Sequence, residues 1–584
     1  ICFLLYQAER TLFVDEAGLA DTFSRYPIRE LTAQKLMSEW NQSAPLLYLY
    51  GVKLITALLG NREWTLRLFS LLSFCATMGF AHYLLQNGFR IKHPALGVAY
   101  LATLPYLIQY ANQFKPYMSD SATVLAVLVL YWAHLGRRIG ILPLAVVYAG
   151  LIWLSNPAVF FIGGVLAVEG VRALRHNNLR RLGHLVLAGG VVSVSFILYY
   201  VHWLRPVASS SYMADYWGDN RFPLFPTSWG DFKTMYVLLA SLFQKTSSLA
   251  PIGILIAILT VMGAIFSLAE RNPLGLSAMA GLGLALFASW LGKYPIVDRL
   301  MLFFYPLAGM FVFLALSRLL FEKRGRLGRV SGLAALPLIL VANAGIVKYE
   351  KADNRYWPEE EANFLIEHLE NHIQPDEMVY VYHSAVPLMG YKLGHGRLVI
   401  GAPDRSGPDN VILGQKYFDQ GGNQEEIDRI LSIHKCYILT THVFSRRIDP
   451  LLDALRRNGH LEVAKIAYDT YLYFHARRLD GVKTAASYRL LDSRIVEGLA
   501  TAKIEITNTG EAYLNAAFDR LVLQGPEPDP NAVVIRQRNV PPGGKIEVDY
   551  EWEWRPDMEP LQIQLVKEGE YRFDEIGVVP LVVG

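Results

Sequence analysis

The chain has 584 residues, a formal net charge of +3 and a hydrophobic fraction of 52%. Its mean hydropathy of +0.24 is high for a soluble protein. The nearly balanced charge gives no indication of a nucleic-acid partner, and the three cysteines (Cys2, Cys75 and Cys436) indicate no disulfide framework. The composition therefore favours an integral membrane protein.

Apolar stretches near bilayer length recur between short charged loops up to about Val347, and none follows. The chain opens on Ile1 rather than Met, so we expect that a first helix was trimmed or begins upstream, which gives about eleven crossings. The two short predicted spans on either side of Ser155-Asn156-Pro157 could instead form one re-entrant hairpin. The predicted spans are Leu66–Leu85, Pro94–Tyr110, Met118–Leu135, Ile141–Leu154, Pro157–Gly170, Leu185–Leu204, Leu249–Ala269, Leu274–Leu291, Leu300–Leu320 and Val330–Val347.

Short loops rich in Arg and Lys alternate with longer loops that mix acidic and aromatic residues. Because basic loops stay in the cytoplasm, the alternation predicts a multi-pass membrane protein whose region after residue 347 lies outside. The predicted outward loops are Thr11–Thr65, Ala111–Tyr117, Arg205–Ser248 and Gly292–Arg299.

The first outward loop carries an acidic pair, Asp15-Glu16, just after a short apolar start. Ionised carboxylates are costly near a bilayer, so such a pair needs a water-facing task; a solvated acidic loop is the alternative interpretation. Further along, Ala44-Pro45 precedes the apolar stretch Leu46–Leu59, which is too short to span and predicts a helix along the membrane surface.

The second outward turn contains Lys115, Tyr117 and Asp120. Lys115, at the membrane edge, can hold a lipid-linked phosphate as a point charge, although a lysine at a helix end can equally snorkel to the interface. Asp120 lies just inside a predicted span and should be paired or hydrated, with Lys115 as the candidate partner.

The last outward turn contains Lys293, Tyr294 and Arg299. The planar guanidinium of Arg299 suits two phosphate oxygens, while an arginine that only anchors a helix end is the alternative. The long loop Arg205–Ser248 mixes aromatics with carboxylates, which suits sugar binding and equally an interfacial aromatic belt.

The order of Leu12-Phe13-Val14-Asp15-Glu16-Ala17, a Pro-led helix and Gly60–Leu68 resembles the GT-C superfamily of membrane glycosyltransferases. Families with this order include protein O-mannosyltransferases, the lipid A aminoarabinose transferase and rhizobial lipopolysaccharide galacturonosyltransferases. The turn at Lys115 is similar to the one that places a basic residue and a tyrosine beside the active site of that superfamily. The turn from Tyr294 to Leu300 resembles one of the galacturonosyltransferase-like branch.

The resemblance implies an inverting glycosyltransferase that moves a sugar from a polyprenyl-phosphate donor to a glycan, lipid or protein acceptor. It implies Asp15 as the base, and Glu16 as the residue that orients Asp15 or binds an optional divalent cation (Mg or Mn). Some relatives have His or Glu before a proline at the position of Gln42. A metal ligand at this position is therefore in doubt. The implied substrate-binding residues are Lys115, Tyr117, Asp120, Lys293, Tyr294 and Arg299.

The sequence contains neither an Asp-x-Asp triplet nor a Gly-rich phosphate loop, so it does not indicate a nucleotide-sugar site. A transporter or flippase is an alternative function, but it predicts internal repeats and mid-membrane charges that the sequence does not indicate. A polysaccharide polymerase or ligase is a further alternative, but it would lack the early acidic pair and the Pro-led helix.

The remainder of the chain predicts two domains outside the membrane. Helices and strands alternate over residues 348–483, among them helices Val386–Leu393 and Asp449–Asn458, which predicts an α/β domain. Short strands between Pro- and Gly-rich turns predict a β-sandwich over residues 484–584. The predicted fold class is therefore a polytopic α-helical, GT-C-like membrane domain over residues 1–347 followed by these two domains.

Overall fold

The computed structural model describes residues 10–321 apart from 225, 245–249 and 298, and residues 362–583 with gaps, of which the longest are 395–410, 415–426 and 511–520. The chain forms two compact units, Ile1–Pro358 and Glu359–Gly584. The predicted span Val330–Val347 and the predicted domain boundaries at residues 347 and 483 lie outside the described residues.

The first unit is made of helices joined by short turns. Its first half contains α1 (Val14–Arg25), α2 (Ala33–Trp40), α3 (Leu46–Leu59), α4 (Glu63–Tyr83), α5 (Pro94–Leu101), α6 (Pro105–Ala111), α7 (Tyr117–Leu135) and α8 (Ile141–Leu151). Its second half contains α9 (Ala158–Arg175), α10 (Leu179–Tyr199), α11 (Arg205–Ala208), α12 (Ser211–Tyr216), α13 (Trp229–Gln244), α14 (Ala250–Ala269), α15 (Pro273–Trp290) and α16 (Phe304–Leu316).

Several of these helices have the length and apolar composition of membrane spans. Within the described residues, five segments qualify: Glu63–Gly88, Tyr117–Leu135, Leu179–Ala208, Ile252–Ala269 and Pro273–Trp290. Shorter apolar helices include α3, whose predicted bounds are confirmed, and α8. The number of about eleven crossings stays a prediction.

The predicted continuous span Pro94–Tyr110 is wrong, because the structure divides it into α5 and α6. The break falls where Pro105 begins α6. Proline has no backbone N–H and disfavours helical geometry in the residue before it, and Leu104 accordingly has an extended ψ of 119°.

The second unit begins with a mixed five-stranded sheet flanked by helices. The elements are α17 (Ala362–His372), β1 (Met378–Val381), α18 (Val386–Leu393), β2 (Val411–Leu413), β3 (Lys435–Thr441), α19 (Asp449–Asn458), β4 (Gly459–Ala467) and β5 (Thr470–Arg477). The strand order is β2-β1-β3-β5-β4, in which β1 runs parallel to β2 and β3 and the other pairs are antiparallel. The predicted bounds of helices α18 and α19 are confirmed to the residue.

Two antiparallel sheets follow, one of order β10-β7-β6 and one built around β11 paired with β8 and β13. Residues from both sheets, such as Ile504 and Trp552 on one and Leu565 on the other, belong to one hydrophobic cluster. The β-sandwich itself stays a prediction. The strands are β6 (Ala486–Val496), β7 (Leu499–Asn508), β8 (Leu521–Gln524), β9 (Val533–Val534), β10 (Lys545–Glu553), β11 (Leu561–Lys567), β12 (Tyr571–Arg572) and β13 (Leu581–Val583).

Candidate active site

Helix α1 directs the two adjacent carboxylates into different surroundings. The helix begins after Phe13, whose backbone N–H donates to Oε2 of Glu16 at 3.2 Å and fixes the first turn. Consecutive residues of an α-helix point about 100° apart around its axis. As a result, the Glu16 side chain is 0% exposed, whereas that of Asp15 is 32% exposed.

Glu16 is the centre of a buried ionic cluster. Its Oε1 accepts hydrogen bonds from Arg67 Nε at 3.0 Å and from the backbone N–H of Phe114 at 2.5 Å. Its Oε2 accepts from Arg67 Nη2 at 3.1 Å and from Arg10 Nη2 at 3.3 Å. Burial raises the pKa of Glu16, but the charges of Arg67 and Arg10 and these hydrogen bonds outweigh it, so the pKa is lowered and the side chain is ionised.

The two arginines extend the cluster to the backbone. Arg67, on α4, donates to the carbonyl oxygens of Arg10 at 2.8 Å and Thr11 at 2.9 Å. Arg10 donates to the carbonyl oxygen of Asn112 at 2.9 Å. The cluster therefore connects the start of the first outward loop, helix α4 and the turn that precedes α7.

This turn presents Lys115 to the other carboxylate. The carbonyl oxygen of Lys115 accepts from Ser70 Oγ on α4 at 3.1 Å, and the neighbouring amide of Phe114 donates to Glu16. The Lys115 side chain is buried, and its Nζ donates to Gln42 Oε1 at 2.5 Å. Gln42 also hydrogen-bonds Asp15, so the amide bridges the lysine and the aspartate.

The end of α2 sets the position of Gln42. Asn41 follows the helix in the left-handed conformation, with φ of 52°, and the N–H of Gln42 donates to the carbonyl oxygen of Leu36 at 3.0 Å. This is the hydrogen bond of a Schellman-type helix end. This helix end changes the chain direction at Gln42, three residues before Pro45, which caps α3.

Arg299 reaches Asp15 from the last outward turn. Its Nη1 forms an ion pair with Asp15 Oδ2 at 2.9 Å, and its Nη2 donates to the Tyr216 hydroxyl at 3.2 Å. The guanidinium also lies over the Trp217 ring, 5.1 Å from the centroid, a cation–π geometry. Arg299 is thus held by residues of the long outward loop while 24% of its side chain remains exposed.

Two hydrogen bonds brace the turn that carries Arg299. The Tyr294 hydroxyl donates to the carbonyl oxygen of Leu300 at 2.6 Å, and the N–H of Ile296 donates to the carbonyl oxygen of Asn220 at 2.6 Å. Tyr294 therefore supports the backbone beside Arg299, and the turn is fixed to the loop that supplies Trp217.

The charged groups of the site shift one another's pKa values. Burial alone would raise the pKa of Asp15. The charges of Lys115 and Arg299, with hydrogen bonds from Gln42 and Arg299, outweigh burial, so the pKa of Asp15 lies below its usual value. Burial lowers the pKa of Lys115 to about 8, since the nearby Asp15 only partly compensates. Burial also opposes the charge of Arg299, but its anionic and tyrosine neighbours raise its pKa overall. At neutral pH the group around Asp15 therefore holds one partly exposed carboxylate and two cations.

The other predicted substrate-binding residues lie in different places. Tyr117 begins α7 and interacts electrostatically with Arg299 and Asp15. Asp120 is 6% exposed and faces Ser155, so its predicted pairing with Lys115 is wrong: Lys115 is directed at Gln42 and Asp15 instead.

Lys293 is exposed. Among the described residues its side chain makes no hydrogen bond or ion pair, so the structure does not bring it to the group around Asp15. Its substrate-binding role stays a prediction.

The surroundings of the acidic pair do not fit a divalent cation. Glu16 uses both oxygens on guanidinium and amide donors, and Asp15 faces Arg299 and Lys115. Within the part of the chain that the structure describes, no three His, Cys, Asp or Glu residues are grouped as metal ligands. No step is therefore assigned to a metal, and Glu16 has the geometry of a positioning residue.

Sequence reasoning missed Arg67, Gln42 and Tyr216 as parts of the site. An arginine within an apolar span requires a buried partner, so Arg67 carried a usable signal. Gln42 stood out only as a departure from the family pattern, and Tyr216 was one of many aromatics in its loop. Their roles depend on contacts between distant segments.

No family model matches the sequence, and no curated protein matches it. Among solved structures, the chain is similar to ArnT from Cupriavidus metallidurans in the apo state, with a TM-score of 0.49, 14% identity and coverage of 81% of this chain and 95% of that one. It is also similar to the same ArnT bound to undecaprenyl phosphate, with a TM-score of 0.48, 13% identity and coverage of 81% and 96%. TM-scores below 0.5 at such identities do not by themselves assign an activity to the chain.

We expect Glu16→Gln to destabilise the first unit strongly. The substitution keeps the shape of the side chain but leaves the buried guanidiniums of Arg67 and Arg10 without a counter-charge, a loss of about 3–5 kcal/mol. The measurement is the midpoint of thermal unfolding in detergent micelles.

Glu30→Gln is the matched control, because Glu30 forms an exposed ion pair with Lys35, which is worth at most about 1 kcal/mol. Equal midpoints for the two variants would contradict the anchoring role of Glu16.

Proposed function

We propose that the chain is a membrane glycosyltransferase of the GT-C kind that uses a polyprenyl-phosphate-linked sugar as donor. The observation that carries the proposal is the convergence of Asp15, Lys115 and Arg299, which come from three predicted outward loops. Asp15 and Arg299 form a 2.9 Å ion pair, and Gln42 connects Asp15 to Lys115. A transferase with this donor needs one proton acceptor and cationic groups for a phosphate, and the site contains both.

The transfer is an inverting displacement. An acceptor hydroxyl gives its proton to Asp15 while its oxygen forms a bond to the anomeric carbon of the sugar. The bond between that carbon and the phosphate oxygen breaks, and polyprenyl phosphate leaves with one additional negative charge. Preorganised cations directed at developing charge stabilise it strongly where water is scarce, which is the role proposed for Lys115 and Arg299.

The ion pair between Asp15 and Arg299 gives the site a resting state. A carboxylate whose pKa is lowered is a weak base, and proton transfer is most effective when the pKa lies near the working pH. The donor phosphate competes with Asp15 for the guanidinium of Arg299. Binding of the donor therefore weakens the ion pair and makes Asp15 more basic when the acceptor hydroxyl is in place.

The proposed location follows from the loops. Asp15, Lys115 and Arg299 belong to loops that the distribution of Arg and Lys places outside, so the reaction is proposed for the periplasmic side of a bacterial inner membrane. A lipid-linked donor supplies an activated sugar there without nucleotide chemistry. The acceptor is a hydroxyl of a glycan, lipid or protein.

Asp15→Asn is expected to insert into the membrane normally and to lose transfer activity by about a hundredfold to ten-thousandfold, because the amide cannot accept the proton. The measurement is mass spectrometry of envelope glycolipids and glycoproteins from cells that carry the wild-type gene, the variant or neither.

Asp219→Asn is the control, since Asp219 is an exposed carboxylate in the long outward loop. Wild-type transfer by Asp15→Asn would exclude Asp15 as the base. If cells without the gene have an altered glycan and both variants restore the wild-type glycan, the chain is still the transferase but another residue is its base.

The pH dependence of kcat/KM tests the second cation. The pKa of Lys115 is lowered to about 8, so the side chain is charged below that pH and neutral above it. We expect kcat/KM to fall as the pH rises through about 8, because the phosphate of the donor loses one cation. Purified protein with a synthetic donor provides the measurement.

Lys115→Gln should have a lower kcat/KM at neutral pH and should lack the decline near pH 8 that the wild type shows. A variant that retains the same alkaline decline would assign it to another group.

A further inference from the structure

A cavity lies in the first unit, among residues that the proposed function does not use. It has a volume of about 330 Å³ and lies between the end of α7 and the starts of α8 and α10. Its lining is strongly basic and consists of His134, Ile141, Asn178, Arg180, Arg181, His184 and Leu185.

A buried carboxylate is paired with one of the residues that line this cavity. Glu169, on α9, is fully buried and accepts hydrogen bonds from the Tyr131 hydroxyl at 2.5 Å, from Arg172 at 2.7 Å and from Arg181. The N–H of Arg181 also donates to Asn178 Oδ1 at 2.9 Å. The Arg181 side chain is therefore held by Glu169 of α9, and its backbone N–H by the residue that caps its own helix.

Among the residues that the structure describes, cations outnumber carboxylates around the cavity. Glu169 is the single carboxylate in residues 136–184, a stretch that contains six arginines: Arg137, Arg138, Arg172, Arg175, Arg180 and Arg181. Glu169 pairs with two of them. Arg180 and His184 line the cavity, and within the described residues neither side chain forms an ion pair. The cavity thus presents an uncompensated cation that an anion can neutralise.

The helices beside the cavity carry an apolar surface that suits acyl chains. On α10, one turn beyond the cavity, Val186 is 70% exposed and Leu187 is 56% exposed. The whole segment Leu179–Ala208 is apolar enough to span a membrane. A basic cavity at the end of such a helix has the two features of a lipid headgroup site, a cationic pocket and an adjoining hydrocarbon-facing surface.

We propose that this cavity binds the phosphate of an anionic membrane phospholipid, with Arg180 and Arg181 on the phosphate and the acyl chains along α10. Inorganic phosphate shares this chemistry and is the other possible source of the group. By the alternation of loops the cavity lies on the side opposite to Asp15, so the lipid is a ligand separate from the proposed sugar donor.

The test is native mass spectrometry of the whole protein in detergent, titrated with phosphatidylglycerol or with phosphatidylcholine. The wild type is expected to bind phosphatidylglycerol more tightly. Arg180→Gln is expected to weaken phosphatidylglycerol binding about fivefold, the effect of one cation near a membrane surface, and to weaken phosphatidylcholine binding less, because the choline cation offsets the charge of its phosphate.

Lys92→Gln is the matched control, because Lys92 is an exposed cation in another predicted cytoplasmic loop. Equal phosphatidylglycerol affinities for Arg180→Gln and Lys92→Gln would overturn the proposal, as would equal wild-type affinities for the two lipids. Complete displacement of phosphatidylglycerol by millimolar inorganic phosphate would contradict a lipid as the source of the bound phosphate group. Unchanged thermal midpoints of both variants establish that folding is not the cause.

Discussion

The buried contact between Glu16 and the guanidiniums of Arg67 and Arg10 is the constraint on which the candidate site depends. A carboxylate and two arginines removed from water are costly unless they pair closely and their remaining hydrogen-bonding groups are satisfied. Here they pair closely, the arginines also donate to backbone carbonyls, and Glu16 also accepts from Phe114. The cluster joins three segments that are remote in sequence, and each presents a group to the site.

This arrangement separates two adjacent carboxylates by role. Glu16 faces inward and holds the turn before α7, whereas Asp15 faces the partly exposed surface and meets Arg299. Helical geometry makes the separation possible, since neighbouring residues on α1 point in different directions. The Asp15 side chain is therefore placed by a helix, and Glu16, its neighbour on that helix, holds the turn before α7.

Local patterns in the sequence predicted much of the fold. The bounds of α3, α18 and α19 follow from apolar periodicity and from the prolines and glycines at their ends, which act within a few residues. The break between α5 and α6 was missed because the predominantly apolar stretch continues through Pro105 without a charged residue.

For the site, Asp15, Lys115 and Arg299 were selected by their positions in predicted outward loops and by the resemblance of these loops to the GT-C pattern. The pairing among them could not be derived in the same way. Gln42 connects Lys115 to Asp15 only because α2 ends in a left-handed turn, and Asp120 faces Ser155 rather than Lys115. Such contacts depend on how distant helices pack, which periodicity does not encode.

The most direct measurement is the structure of the protein in lipid nanodiscs with polyprenyl phosphate bound. The account predicts phosphate oxygens within about 3 Å of Lys115 Nζ and the Arg299 guanidinium, with the ion pair to Asp15 opened and the carboxylate facing the same cavity. A phosphate bound away from both cations, with Asp15 and Arg299 still paired, would contradict it.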